Sequence, residues 1–125
     1  MKGYALALLA AGFAIAPAHA QSMGLSQFMV KAEALEKKGA LALFSSDMGL
    51  LKKEVTAAAD LVRKERLAAK NAGRKQAYCP PEGAGSLNAK ELLAHFRSIP
   101  SAQRERMQVR DGLRSLLARK YPCPA

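Results

Sequence analysis

The chain has 125 residues, with 20 Lys and Arg against 10 Asp and Glu for a formal charge of +10, and half of its residues are apolar. That length suits one compact domain around one core. Trp is absent and the other aromatics are few, which disfavours a stacking surface for bases or sugars. The charge attracts anionic surfaces and is also what keeps many small proteins soluble, so it does not by itself define a partner.

Residues 1–20 carry a single cation at Lys2, an apolar run from Tyr4 to Ala16, and a small-x-small end at Ala18-His19-Ala20. These are the parts of a secretory signal peptide, so the working protein is expected to begin at Gln21 and to be periplasmic or secreted. The apolar run is shorter than the ~20 residues a membrane-crossing helix needs, and no cysteine near the cut site offers a lipid anchor. Removing the first 20 residues leaves 105, predicted to be a single helical domain over residues 21–125 with a charge of +9 once Lys2 is gone.

Leu25, Phe28, Met29, Ala32 and Leu35 recur at helical spacing and predict a first helix ended by Gly39. The run Ala40–Phe44 is read as a connection to Ser45-Ser46-Asp47, a helix start with a hydroxyl cap and an acid at the positive end of the dipole. The second helix, with Leu51, Val55, Ala58 and Val62 inward and Leu50, Ala57, Leu61 and Ala68 beside them, persists to Asn71-Ala72-Gly73. Arg63, Arg66, Lys70 and Arg74 would form a basic row along its distal half if the helix reaches that far.

Tyr78–Gly85 holds two consecutive prolines and two glycines and reads as a loop. Asn88 and Glu91 form an N-x-x-E capping box, with Leu87 and Leu92 spaced as a hydrophobic staple, so a third helix burying Leu92, Leu93 and Phe96 is expected up to Ser98-Ile99-Pro100. A fourth helix is predicted from about Ser101 to Lys120, with Val109, Leu113, Leu116 and Leu117 inward and Arg106, Arg110 and Arg114 along one border. Gly112 inside it costs about 1 kcal/mol relative to alanine, which implies either a close helix approach or a weak point. The expected fold class is therefore all-α, a small bundle of about four helices.

Cys79 and Cys123 are the only cysteines, and an oxidising compartment favours a disulfide between them. It would close the C-terminal helix pair into a ring, and a loop of this size stabilises by about 4 kcal/mol on a loop-closure argument. Two distant cysteines and one mature histidine do not make a zinc pattern. No G-x-S-x-G elbow, phosphate loop or H-E-x-x-H pair is present. His95 has no sequence neighbour to orient its ring as a base, and spacing selects no pair among Glu82, Glu91, Glu105 and Asp111. The chain is read as a non-enzyme, with no metal and no cofactor.

The residues Cys79-Pro80-Pro81-Glu82-Gly83, Glu91-Leu92-Leu93, Ile99-Pro100 and Leu116-Leu117, followed by Lys120-Tyr121-Pro122-Cys123, resemble the C-terminal half of the Tai-type immunity family. The likeness covers about residues 77 to 124. It implies a small exported helical protein that binds and blocks a peptidoglycan-cleaving amidase delivered by type VI secretion. The shared positions are structural, so the resemblance assigns no inhibitory residue. The expectation is a non-catalytic periplasmic protein-binding domain whose partner is another protein, with a secreted effector enzyme as one identity and a homodimer as another. The candidate binding face is Arg63, Arg66, Lys70, Arg74, Arg106, Arg110 and Arg114. The alternative is that the same cations bind an anionic envelope lipid or a polyanion; nucleic acid is not expected of an exported protein.

Overall fold

The computed structural model describes residues 23–125; the expected signal peptide at 1–20 lies outside the described residues. The chain forms α1 (Leu25–Lys38), a 3-10 segment (Gly39–Phe44), α2 (Ser46–Asn71), α3 (Ala89–Ser98), α4 (Ser101–Arg104) and α5 (Val109–Lys120). The fold is all-helical. Among the described residues the only β pairing is an isolated antiparallel bridge between Gly24 and Gln108, and no helix is long and apolar enough to cross a membrane.

All five apolar residues predicted to face inward from α1 are buried. The helix ends where Gly39 takes φ +56°, a left-handed conformation that glycine adopts without a side-chain clash. The α2 start is also as expected, with Ser45 Oγ accepting from the Asp47 amide at 3.3 Å. Its end is a Schellman turn: the Gly73 amide donates to Lys70 O and the Arg74 amide to Ala69 O, with Gly73 at φ +66°. Arg74 therefore lies past the helix, and the basic row on α2 stops at Lys70.

Asn88 caps α3 by accepting from the Glu91 amide at 2.7 Å. The reciprocal half of the expected capping box is absent. The Glu91 carboxylate instead accepts from Lys120 Nζ at 2.9 Å, a charge-assisted bond that ties α3 to the end of α5. Leu92 and Phe96 are buried, while Leu93 is only partly so.

The predicted continuous helix from Ser101 to Lys120 is two helices. Gln108 is extended, at φ −99° and ψ 164°, and its amide donates to the Asp111 carboxylate at 2.9 Å, which starts α5 anew. The chain entering α1 occupies the backbone groups a continuous helix would need: the Leu25 amide donates to Met107 O at 2.8 Å and the Val109 amide to Met23 O at 2.9 Å. Arg106 consequently sits in the link before α5 and shares no helix face with Arg110 and Arg114.

The core centres on Leu25, Met29, Phe96, Val109 and Leu113. Phe28 and Phe96 meet edge to face with centroids 5.6 Å apart, a geometry that adds about 0.5–1.5 kcal/mol to the burial of the rings. A Cβ on Gly112 would lie 2.8 Å from Phe96 Cε1 and 3.1 Å from Leu25 Cδ2, so the glycine marks a close approach. Cys79 and Cys123 are joined. The Cys79 amide also donates to Tyr121 O at 2.8 Å, so the loop and the tail are pinned by backbone as well as by sulfur. The ring encloses α3, α4 and α5, one helix more than the expected pair.

Candidate functional site

The feature that sequence reasoning treated as a mere connection is the most distinctive surface of the molecule. A 3-10 helix has three residues per turn. Ala42 points into the core, so Leu41 and Phe44, three apart, share one outward side and Leu43 takes the other. Leu41 is 70% exposed, Leu43 73% and Phe44 88%. Scattered exposed leucines are ordinary, but three bulky apolar side chains within four residues form a patch of the kind that marks an interaction surface. Lys37 and Lys38 in the last turn of α1 flank the segment.

Beside this segment a groove of about 610 Å³ opens between α1, α2 and the start of α3. Phe28, Ala32, Leu35, Leu51, Val55 and Leu92 line it, and Gly39 and Ala42 make it continuous with the 3-10 segment. Its two charged lining residues differ in state. Glu36 is held by the Arg97 guanidinium, whereas Lys52 makes no ion pair among the described residues.

His95 lies next to a second, shallower pocket of about 370 Å³, together with Ser98, Arg119 and Lys120. Its Nε2 is 2.7 Å from Ser115 Oγ, a partner on α5 that sequence spacing did not reveal. The Ser115 hydroxyl donates to Gly112 O at 2.9 Å, which leaves its oxygen to accept from a His95 protonated at Nε2. That arrangement ties α3 to α5. A serine nucleophile would need its proton directed to the imidazole instead. Burial, and then the positive Arg119, hold His95 below its ordinary value. Among the described residues, no three His, Cys, Asp or Glu side chains cluster as metal ligands.

The seven predicted binding cations are not brought together as one free face. Arg114 bonds Glu65 at 2.8 Å and Asp111 at 3.0 Å. Partial desolvation lowers its pKa, but these two carboxylates outweigh that and raise it above its ordinary value. Arg66 stacks over the buried Tyr78 ring at 5.3 Å, and Arg63 lies 3.7 Å from Asp60. Lys70, Arg74, Arg106 and Arg110 make no ion pair among the described residues. They are spread over α2, the turn after it, the link before α5, and α5 itself.

Sequence reasoning also missed Glu54, which lies on the buried face of α2 and is only 3% exposed. Its Oε1 accepts from the Met23 amide at 2.6 Å, anchoring the chain as it enters α1.

No protein-family model, no curated protein and no solved structure matches the chain.

Proposed function

We propose that this chain is a non-catalytic domain, exported to the periplasm, that binds another protein through Leu41, Leu43 and Phe44. The observation that carries the reading is the exposure of these three residues on a 3-10 segment whose backbone is held on both sides by helices. Holding Phe44 in water forgoes roughly 1.5–3 kcal/mol of burial free energy, which a partner surface recovers. Phe is among the residue types enriched at protein interfaces, while charges at the rim mainly steer encounter. Lys37 and Lys38 suit that steering role, and with Arg66 and Arg114 engaged within the molecule the apolar segment is the better centre of contact.

The resemblance of residues 77 to 124 to the Tai-type immunity family supports a secreted cell-wall amidase as that partner. The matching residues, however, lie in the disulfide-closed half and not in the contact segment. Retention from a periplasmic extract tests the reading. A specific protein held by the wild-type chain is expected to be lost from Leu41→Ser/Leu43→Ser/Phe44→Ser and kept by Lys70→Glu/Arg110→Glu. Equal retention by the apolar triple variant, or loss only from the charge variant, contradicts it and favours the polyanion alternative. Sedimentation of the purified chain shows whether a second copy is the occupant.

A further inference from the structure

The groove beside the contact segment has the size and chemistry of a small-molecule site, and its use needs no second protein. We propose that it binds the chain of a long-chain fatty acid, with the carboxylate held by Lys52. Its volume of about 610 Å³ lies inside the ~300–1,000 Å³ range of ligand sites, which are typically apolar with few polar groups. The wall residues Ala32, Leu35, Leu51, Val55 and Leu92 offer no hydrogen bonds from their side chains. Of the polar lining groups, the Thr56 hydroxyl donates to Lys52 O, Asn88 Oδ1 accepts from the Glu91 amide, and Glu36 is bonded to Arg97. The Lys52 ammonium is thus the one uncommitted charge on the lining among the described residues. An apolar ligand with a single negative end is its complement.

Calorimetric titration of the purified, oxidised chain with fatty acids of increasing length, below their micelle concentrations, tests the proposal. Saturable binding of palmitate at one site per chain is expected. Affinity should rise by up to about fourfold per methylene from decanoate upward and then level off as the groove fills. Lys52→Glu should weaken palmitate binding at least tenfold, with recovery in Lys52→Arg. Val55→Phe/Leu93→Phe should abolish the length dependence while the helical circular dichroism is retained. Should that double variant fail to fold, the Lys52 pair still decides. Absence of saturable palmitate binding, or equal binding by wild type and Lys52→Glu, overturns the proposal. So does binding to phosphatidylglycerol vesicles without binding of monomeric palmitate, which would assign the surface to a membrane. The Ser triple variant at positions 41, 43 and 44 serves as the control. Loss of a protein partner with palmitate binding intact separates the two readings.

Discussion

Three residues carry local arrangements that single substitutions expose. Gly112→Ala should gain about 1 kcal/mol in helix propensity and lose about 1–3 kcal/mol by overpacking, because its new methyl meets the Phe96 ring at 2.8 Å and Leu25 Cδ2 at 3.1 Å, both fully buried side chains. A net loss is expected, read as a lower urea midpoint with an unchanged slope. Glu54→Ala leaves the Met23 amide without its acceptor and should cost about 1–3 kcal/mol, and Glu54→Gln, which keeps an acceptor oxygen, should cost less in the same unfolding experiment. His95 is held below its ordinary value in the folded chain, so the unfolded chain binds the proton more readily. Its contribution to stability is therefore present above the unfolded value near 6.5 and is lost as pH falls through the folded value. Urea midpoints measured from pH 8 down to pH 5 should fall through that window in the wild type, with a shallower fall in His95→Gln.

At the scale of elements, legibility tracked how local the determining interaction is. The stop at Gly39, the Ser45 cap, the Gly73 turn and the Asn88 cap each depend on residues within a few positions, and each stands where periodicity and turn chemistry placed it. The division of the last predicted helix was not legible, because it arises from hydrogen bonds between Met23–Leu25 and Met107–Val109, more than eighty positions away in the chain. The same distance effect hid the Glu54–Met23 bond, the His95–Ser115 pair and the diversion of Glu91 to Lys120. The 3-10 segment was hidden for a different reason. Ala40–Phe44 has an apolar composition that ordinarily means burial, and it is the packing of the segment that turns Ala42 alone inward. As for the candidate site, charge patterning drew attention to seven cations, but whether a cation is free depends on carboxylates and rings brought to it by other elements, as Glu65 is to Arg114 and Tyr78 to Arg66.

The whole molecule combines a covalently closed C-terminal half with an open apolar surface built from the N-terminal half. The disulfide spans 44 positions, and reducing it should lower unfolding free energy by about 4 kcal/mol if its effect is mainly on the unfolded chain. Mass measurement should show two hydrogens gained on reduction and the urea midpoint should drop in parallel; an unchanged midpoint would mean that the Cys79–Tyr121 backbone bond and helix packing suffice. The proposed contact surface lies on the other side of this division, since Leu41, Leu43 and Phe44 belong to no part of the ring. Reduction that leaves the fold standing should therefore weaken partner binding little.

Photo-crosslinking in living cells that export the chain as proposed interrogates that surface most directly, with a photoreactive residue placed at position 44 in one chain and at position 110 in another. A discrete adduct with another protein is predicted from position 44, with none or a much weaker one from position 110. An adduct formed only from position 110 would contradict the assignment of Leu41, Leu43 and Phe44 as the contact surface.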